Sequence, residues 1–400
     1  MKISKLKIGI VGLGRIFSLN VLGYVKNPDC ELYAFCDRDK NALKQASEEF
    51  GVKKTYTDFN EFIKDDYIDL VDILTPHSQH EWMSVAAAEA GKHISLQKVP
   101  TLTMGSFDRI VKAVNKAGVK FRVFENFRFH PPYQRLMKLV KDKTIGKPYA
   151  VNMRMWLGVK QLSSWKVSIL KSLRWRYTER ENYKMPTLFD DGYHKHSLIQ
   201  WFLKNIKSVQ AWKGNFKIFG ILPVDCPSVI IYKGKKGERF GTWNVSMSPF
   251  IPIKSDYYGC DEALEVHGKN GLAWVQGCTG NMFVGCDAGG PGKPGVYWIN
   301  KNGEWNSDTS MESNWKHSFI LCTKHFIDAI KNDTEVILDA KTARHVLRIS
   351  LAMVKSLRSG FIDVPVASIK DGIGDDLIQE EIDDSLIFDN IPEGVDIDDL

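Results

Sequence analysis

The chain has 400 residues, of which 44% are hydrophobic and 26% are charged, as in an ordinary soluble globular protein. No apolar run is long enough to span a membrane, so no membrane partner is expected. The seven cysteines are scattered and contain no Cys-x-x-Cys pair. This pattern argues against a disulfide framework or a zinc site and indicates reduced thiols in the cytoplasm. Because one compact core rarely holds so long a chain, two domains are expected.

The net charge of +6 is unevenly distributed along the chain. Residues 371–400 contain nine Asp and three Glu but no Lys or Arg, which leaves a charge of +18 on residues 1–370. No recognition helix or RNA-binding motif accompanies this basic charge, so no nucleic-acid partner is expected. Residues 361–400 are predicted to form an acidic C-terminal tail, which either lies along a basic surface of the protein or is disordered.

Up to about residue 125, short apolar strands alternate with segments of helical periodicity. Strands are predicted at residues 7–11, 31–36, 70–74, 93–96 and 120–124, and helices at residues 15–24, 40–50, 80–90 and 106–117. Such alternation forms right-handed crossovers and a parallel sheet that is covered on both faces. Residues 1–125 are therefore predicted to form a doubly wound α/β domain of the Rossmann type. Its ligands are expected beyond the carboxyl ends of the strands.

The pattern changes after about residue 148, where aromatic and β-branched residues alternate with polar ones. Antiparallel strands, some of them broken by turns, are predicted at residues 209–219, 228–232, 240–247 and 263–276. The glycine-rich segment 277–295 is predicted to be a loop. Helical periodicity returns at residues 315–331 and 340–359. Residues 126–360 are thus predicted to form an α+β domain with a largely antiparallel open sheet. Its helices near residues 315–359 are able to pack back on the first domain.

The most informative motif is a glycine turn at the end of the first predicted strand. Its sequence is Gly12-x-Gly14-x-x-Phe17, and a predicted helix follows. The backbone N–H groups of such a turn, and the helix N-terminus behind it, bind a dinucleotide pyrophosphate. Asp37 ends the second strand 23 residues after Gly14, close to the spacing of about 20 expected for an acid that binds the ribose 2′-hydroxyl. Asp37 favours NAD, because a carboxylate repels the 2′-phosphate of NADP, while the adjacent Arg38 is compatible with either cofactor.

Two further segments carry recognisable motifs in a fixed order. The first has Thr75-Pro76 and His80 after a predicted strand, and later Gly-Lys-His leading to Gln97-Lys98-Val99-Pro100; the second is Asp190-x-Gly192-x-His194. Together with the glycine turn, these motifs resemble the Gfo/Idh/MocA family of sugar and polyol oxidoreductases over about residues 5–360. Gln97 and Val99 depart from the Glu-Lys-Pro sequence of that family.

The resemblance implies that Lys98, Asp190 and His194 are catalytic. Oxidising a secondary alcohol to a carbonyl requires a group that accepts the hydroxyl proton, and histidine titrates near neutral pH. His194 is therefore the expected base. Asp190, four residues earlier and on the same face of a predicted helix, is expected to orient it. Lys98 is expected to stabilise the developing alkoxide and to relay protons.

The resemblance also implies the residues that contact the cofactor and, less clearly, the substrate. The expected cofactor contacts are Gly12, Gly14, Arg15, Ile16, Asp37, Arg38, Thr75, Pro76, His80, Gln97 and Asn126. The candidate substrate contacts are Arg128, Trp165, Trp175 and Arg176, whose aromatic and basic side chains suit a sugar ring or an acidic substituent. The alternative for these four residues is a place in the core or on a solvated face. No metal is expected, because His194 and His196 are two residues apart and do not share one helical face.

These observations predict an NAD(P)-dependent enzyme that transfers a hydride between a nicotinamide and a secondary hydroxyl of a sugar, glycoside or cyclitol. One alternative is cleavage of a glycosidic bond through transient oxidation by a retained nicotinamide, and another is a non-catalytic nucleotide-binding sensor. The expected partner is a small-molecule carbohydrate. By resemblance, the second domain is expected to pair between subunits as a homodimer or homotetramer.

Overall fold

The computed structural model describes residues 5–158, 161–162, 185–218, 222–234, 238–248, 253–254, 260–278 and 295–370. The chain divides into two compact units. Unit 1 contains Met1–Phe129 and Ser318–Leu347, and unit 2 contains His130–His317 and Arg348–Leu400. The predicted acidic tail from residue 371 onward, and most of the glycine-rich segment 277–295, lie outside the described residues.

Unit 1 is built on a six-stranded sheet in which every neighbouring pair of strands is parallel. Its elements are β1 (Leu6–Val11), α1 (Phe17–Val25), β2 (Cys30–Cys36), α2 (Lys40–Phe50), β3 (Lys54–Tyr56), α3 (Phe59–Ile63), β4 (Leu70–Ile73), α4 (His77–Glu89), β5 (His93–Gln97), α5 (Met104–Ala117), β6 (Phe121–Phe124) and a 3-10 turn (Asn126–Phe129). The strand order β3-β2-β1-β4-β5-β6 is that of a Rossmann sheet. The predicted fold of this region is confirmed.

The helices of unit 1 begin and end at local signals in the sequence. Asp39 caps α2 by accepting hydrogen bonds from the N–H groups of Asn41 and Ala42, and Gly51 ends the helix with a φ of 67°. Thr103 caps α5 in the same way, and Gly118 ends it with a φ of 68°. Side-chain caps and left-handed glycines are the usual helix boundaries.

A helix from late in the chain, α8 (Lys316–Lys331), completes the core of unit 1. Phe326 and Ile327 of this helix belong to the same buried cluster as residues of β1, β2 and α1. At Gly23 of α1, an added Cβ atom would lie 2.5 Å from the Cβ atom of Thr323. Glycine at this position therefore allows α1 and α8 to pack closely.

Three polar side chains form a buried row across the sheet of unit 1. Asp72, Ser95 and Arg122 are in register on β4, β5 and β6, and each is at most 1% exposed. The Arg122 Nε atom donates to Ser95 Oγ at 3.0 Å, and Nη1 donates to the carbonyl oxygen of Cys322 at 2.6 Å. A buried guanidinium needs such partners, because desolvation without them is costly.

Unit 2 contains a nine-stranded sheet that is antiparallel except for one parallel pair, β7 and β13. In chain order, the elements of unit 2 before α8 are α6 (Pro131–Lys141), β7 (Pro148–Leu157), β8 (Gln161–Leu162), a π-helical turn (Pro186–Asp191), α7 (Gly192–Leu203), β9 (Ser208–Lys213), β10 (Lys217–Ile218), β11 (Leu222–Pro223), β12 (Ser228–Lys233), β13 (Phe240–Met247), β14 (Ile253–Lys254), β15 (Cys260–Gly268), β16 (Gly271–Gln276), β17 (Val296–Ile299) and β18 (Trp305–Asp308). After α8 come α9 (Ala340–Arg358), which is divided between the two units, and then β19 (Val364–Pro365) and a 3-10 turn (Val366–Ser368) of unit 2. The prediction of a largely antiparallel sheet is confirmed.

The sheet order in unit 2 is β18-β17-β16-β15-β7-β13-β12-β9-β19. The predicted strand segment 263–276 is broken by a turn into the antiparallel hairpin of β15 and β16. The long central strand β7 was not predicted. Helices α6 and α7 pack on one face of this sheet, which we call the inner face. The opposite face of the sheet is called the outer face.

Among the described residues, no helix combines the length and apolar character that a membrane span requires. The same part of the chain contains no cluster of three or more His, Cys, Asp or Glu side chains arranged to hold a metal ion. Six cysteines are described, and all of them are buried free thiols: Cys30, Cys36, Cys226, Cys260, Cys278 and Cys322.

Candidate active site

The two glycines of the glycine turn have opposite surroundings. Gly12 has a φ of +89°, and an added Cβ atom would lie 2.8 Å from the backbone carbon of Leu74 and 3.0 Å from the backbone nitrogen of Thr75. Only glycine therefore lets the turn after β1 touch the turn after β4. At Gly14, by contrast, an added Cβ atom would have no other atom within 4 Å. Gly14 thus faces open space at the carboxyl edge of the sheet.

The N-terminus of α1 lies beside this open space. No side chain caps the helix, and its first turn contains no acidic residue. The turn is closed by backbone alone, with the Phe17 N–H donating to the Gly14 carbonyl oxygen at 3.1 Å. The residues Arg15 and Ile16, predicted to contact the cofactor, form this entry to the helix. The N-terminal end of a helix has a positive electrostatic potential, and the backbone beside it is exposed. Both features suit the negatively charged pyrophosphate of a dinucleotide.

Asp37 has a structural role in addition to its predicted one. Its Oδ2 atom accepts a hydrogen bond from the Leu13 N–H at 2.7 Å, and its Oδ1 atom accepts from the Asp39 N–H at 2.9 Å. The carboxylate therefore holds the glycine turn against the end of β2. Since a carboxylate has about four acceptor positions, Asp37 retains acceptor capacity for a ribose hydroxyl. The neighbouring Arg38 is exposed.

His80 connects the segments that follow β4 and β5. Its Nε2 atom lies 2.8 Å from the Thr75 carbonyl oxygen, and its Nδ1 atom lies 3.0 Å from the carbonyl oxygen of Val99. Burial, assisted by His77, lowers the pKa of His80 to about 3. Pro76 directly precedes α4. The predicted residues Thr75, Pro76 and His80 are thus brought together.

Lys98 follows directly after β5 and is partly buried. Its backbone N–H donates to the side-chain oxygen Oε1 of Gln97 at 2.8 Å. The peptide bond between Lys98 and Val99 is cis, and the Val99 N–H donates to His77 Nε2 at 3.3 Å. Side chains on both flanks therefore hold the backbone of Lys98.

The segment after β6 places two more predicted residues inside unit 1. The side-chain nitrogen of Asn126 donates to Ser318 Oγ at 2.6 Å. The Nε atom of Arg128 lies 3.9 Å from Glu125 Oε2, and both side chains are buried. Arg128 is therefore paired with an acidic neighbour. The other three candidate substrate residues, Trp165, Trp175 and Arg176, lie outside the described residues.

In unit 2, Asp190 and His194 lie where a π-helical turn joins an α-helix. Asp190 belongs to the π-helical turn, which ends at Asp191, and His194 lies in the first turn of α7. The expectation that both belong to one regular α-helix was wrong. The π-helical turn is wider, so the four-residue spacing does not place the two side chains as an α-helix would. Both side chains are nonetheless almost fully buried.

Position 192, between these two residues, is a glycine because the inner face of the sheet comes close to the backbone there. An added Cβ atom at Gly192 would lie 2.9 Å from an indole carbon of Trp243 on β13. Trp243 is itself fully buried. The glycine of the Asp-x-Gly-x-His motif thus lets the backbone that carries His194 rest directly on the sheet.

Asp225 holds the start of the π-helical turn. Its Oδ2 atom accepts hydrogen bonds from the N–H groups of Thr187 at 3.0 Å and Leu188 at 2.6 Å. The carboxylate is buried, and burial raises its pKa. Sequence reasoning did not single out Asp225, because its partners lie 37–38 positions earlier in the chain.

A buried ion-pair cluster lies immediately after His194. Lys195 is fully buried, and its Nζ atom lies 2.8 Å from Asp191 Oδ2 and 2.5 Å from Glu262 Oε1. Burial alone would lower the pKa of Lys195, but the two carboxylates hold it above its usual value. Burial raises the pKa of Glu262 to about 7, against the effect of Lys195. The prediction missed this cluster, and a lysine within an otherwise buried helix was the only signal for it.

His196 is a packing residue of α7. Its Nδ1 atom lies 2.7 Å from the Tyr232 hydroxyl, and its ring meets Trp243 edge to face. Burial lowers the pKa of His196 to about 3. The neutral ring packs between α7 and the sheet.

Unit 1 therefore has the fold and the glycine turn of a dinucleotide-binding domain. Residues 6–125 match the family model described as "Oxidoreductase family, NAD-binding Rossmann fold". This match confirms, over residues 6–125, the resemblance to the Gfo/Idh/MocA oxidoreductase family noted in the sequence.

Two curated relatives are similar to this chain over its amino-terminal part. A myo-inositol 2-dehydrogenase of Thermotoga maritima is 32% identical over 146 residues, which are 36% of this chain and 44% of that protein. A D-apiose dehydrogenase of Paraburkholderia graminis is 33% identical over 148 residues, which are 37% of this chain and 39% of that protein. The matched region thus spans less than half the length of these two relatives.

Solved structures extend the likeness in fold to most of the chain. An oxidoreductase from Agrobacterium radiobacter, solved with NAD+, L-tartaric acid and magnesium, has a TM-score of 0.77 at 16% identity. The alignment covers 92% of this chain and 100% of that one. A levoglucosan dehydrogenase, solved with NADH and L-sorbose, has a TM-score of 0.73 at 18% identity and covers 91% of this chain and 99% of that one.

Proposed function

We propose that this chain is an NAD-dependent oxidoreductase that oxidises a secondary hydroxyl group of a sugar, glycoside or cyclitol. The observation that carries the proposal is the open space at Gly14 beside the uncapped N-terminus of α1. The family match of residues 6–125 supports the cofactor. The names of the inositol and apiose dehydrogenases support the class of substrate.

Unit 1 would hold the cofactor mainly through its backbone. Gly14 and the N–H groups at the start of α1 suit the pyrophosphate, and the remaining acceptor positions of Asp37 suit a ribose hydroxyl. NAD is preferred over NADP, because the Asp37 carboxylate would repel a 2′-phosphate. When bound, the nicotinamide supplies the hydride acceptor.

Three side chains are assigned to the proton and charge changes of the reaction. His194 accepts the proton of the substrate hydroxyl, since imidazole is basic enough to do so near neutral pH. Asp190 orients His194, and the ammonium group of Lys98 stabilises the alkoxide as it forms. These assignments rest on the motif order, and the buried settings of Asp190 and His194 agree with exclusion of water from proton transfer.

A substrate screen with a matched pair of histidine variants tests this function. Sugars, glycosides and cyclitols are offered with NAD or NADP, and reduced nicotinamide is followed by its absorbance. His194→Ala is expected to lower kcat by at least about 100-fold while the affinity for NAD stays within twofold. The partly exposed His317→Ala serves as control. Near-normal turnover of His194→Ala, or no affinity for either coenzyme, would refute the proposal; glycoside cleavage without net NADH would replace it with the retained-nicotinamide reaction.

We further propose that the outer face of the unit 2 sheet joins subunits into a homodimer or homotetramer. Aromatic surface lies at both ends of this face: Trp212 and Phe240 on one side, and Trp274, Tyr297 and Trp305 on the other. Trp212 is 46% exposed and Trp305 is 72% exposed. Exposed aromatic side chains on one face commonly mark an association site, and the Arg154–Glu265 ion pair adds a polar contact. Light scattering should show an assembly that Trp212→Glu dissociates; a monomeric wild type contradicts the proposal.

We also propose a cytoplasmic location, because the six described cysteines are free thiols, as expected in a reducing compartment.

A further inference from the structure

Gln97, which occupies the glutamate position of the family motif, is the last side chain in a buried hydrogen-bonded series. Asn20 Nδ2 donates to Asp72 Oδ2 at 3.4 Å. Gln97 Nε2 donates to Asn20 Oδ1 at 3.3 Å, and the Lys98 N–H donates to Gln97 Oε1 at 2.8 Å. We call Asp72, Asn20 and Gln97 the amide relay. It runs from the middle of β4 to the backbone of Lys98.

The chemistry of Asp72 sets the direction of every bond in the relay. A carboxylate only accepts hydrogen bonds, so Asn20 must turn its nitrogen toward Asp72 and its oxygen toward Gln97. Gln97 must then donate with its nitrogen, and its own oxygen is left to accept from Lys98. A glutamate at position 97 would place an acceptor against the oxygen of Asn20. If the side-chain amide of Asn20 flipped, its oxygen would face the carboxylate of Asp72 instead, and two acceptors would again lie against each other.

The relay cannot exchange a lost partner for water. Asn20 and Asp72 are 0% exposed, and Gln97 is 7% exposed. Asp72 is also in register with Ser95 and Arg122. Burial raises the pKa of Asp72, and the guanidinium of Arg122 opposes that shift. A mismatch anywhere in the relay would leave a buried polar atom unsatisfied, which destabilises the folded state.

We propose that Asp72, Asn20 and Gln97 are positioning residues for Lys98, and that Asp72 is the reason why position 97 carries an amide. The contribution to catalysis rests on the proposed function of Lys98. The relay itself consists of contacts within unit 1 and is tested separately from turnover.

The test is a double-mutant cycle that moves the carboxylate from one end of the relay to the other. The variants are Gln97→Glu, Asp72→Asn and the double variant that combines both substitutions. In the double variant, Asn20 can turn over, donate to the new carboxylate at position 97 and accept from the new amide at position 72. The bonds of Asn20 are then restored with reversed direction. Gln45→Glu makes the same chemical change at an exposed position of α2 and is the control.

Three readouts are measured on each variant: exchange of the Lys98 amide hydrogen, the thermal midpoint, and kcat with KM. Gln97→Glu is expected to speed Lys98 amide exchange and to lower kcat, each by about tenfold, which corresponds to about 1.4 kcal/mol. The thermal midpoint should fall by about 2–4 °C. The double variant should recover most of all three losses, although Asp72→Asn alone is also harmful. Gln45→Glu should match the wild type.

Additive effects of Gln97→Glu and Asp72→Asn on amide exchange and midpoint would overturn the relay. Coupling in those two readouts with additive effects on kcat would overturn the positioning of Lys98. A wild type that turns over no substrate would refute the proposed function, while amide exchange and the thermal midpoint would still decide whether the relay exists.

Discussion

The glycine turn of unit 1 and the His194 segment of unit 2 (Pro186–Leu203) hold their backbones in opposite ways. In unit 1 the glycine turn packs against backbone atoms at Gly12, which has no side chain, and one partly buried carboxylate, Asp37, accepts a hydrogen bond from the Leu13 N–H. In unit 2 the segment is held by buried charged side chains, Asp225 and Lys195, whose partners are themselves buried or partly buried. Unit 1 should therefore be sensitive to added volume, and unit 2 to the loss of one charged group.

The largest effect is expected when Lys195 loses its charge. Lys195→Met leaves Asp191 and Glu262 without their shared cation, and breaking a buried ion pair in this way costs about 3–5 kcal/mol. The free energy of unfolding of unit 2, measured by denaturant titration, should fall accordingly. Lys44→Met is the matched control, because the Lys44 side chain is 75% exposed. Equal stability of the two variants would mean that the cluster does not hold the segment.

The next largest effect is the dependence of stability on pH that Glu262 causes. Its pKa is raised by burial from 4.5 to about 7 in the folded protein, so the folded state binds more protons than the unfolded state between these values. The contribution of Glu262 to the stability of the wild type therefore falls as the pH rises from about 4.5 to about 7. Glu262→Gln removes the titrating carboxyl group, and with it this loss of stability. Relative to the wild type, the variant should gain up to about 3 kcal/mol across that window, as measured by unfolding at a series of pH values; a difference that is independent of pH contradicts the shift.

An added methyl group should have different effects at Gly12 and Gly14, the two glycines of the glycine turn. Gly12→Ala forces an L-residue into a left-handed conformation against the backbone of Leu74, and should cost about 1–3 kcal/mol of stability. Gly14→Ala should change stability by less than about 0.5 kcal/mol, since no atom lies nearby. It should still weaken NAD binding, measured by calorimetry, because the methyl group fills the open space. Equal losses of stability would contradict the different surroundings of the two positions.

A smaller loss of stability than that of Gly12→Ala is expected for the conservative substitution at Asp225. Asp225→Asn keeps one acceptor oxygen for the N–H groups of Thr187 and Leu188, so the loss should be about 0.5–1 kcal/mol. Asp225→Ala leaves both donors unsatisfied and should cost more. If the two variants are equally stable, the carboxylate does not hold the π-helical turn. Unfolding curves of the pair give the comparison directly.

The same contrast explains which features could be predicted from the sequence. The bounds of α2 were predicted correctly, because Asp39 and Gly51 are caps within the helix's own sequence. β3 and α3 were missed, since segments of three and five residues show no periodicity. The central strand β7 was missed because its partners, β13 and β15, come much later in the chain.

The residues of the candidate site also divide into those whose position could be predicted from the sequence and those whose position could not. The glycine turn and the strand ends that carry Asp37 and Lys98 follow from the order of elements in a parallel sheet. The π-helical turn at Asp190 does not, because it depends on Asp225. Likewise, the partner Glu262 of Lys195 is far away in sequence and carries no local signal.

The late contribution of α8 to unit 1 has a consequence for biosynthesis. A nascent chain that ends before Ser318 contains all six strands of the parallel sheet but lacks Cys322, Thr323 and Phe326, which cover Arg122 and the core. The unit at the amino terminus therefore cannot finish folding while it emerges from the ribosome. Until α8 has been translated, Arg122 and the apolar side chains that α8 covers remain exposed to water.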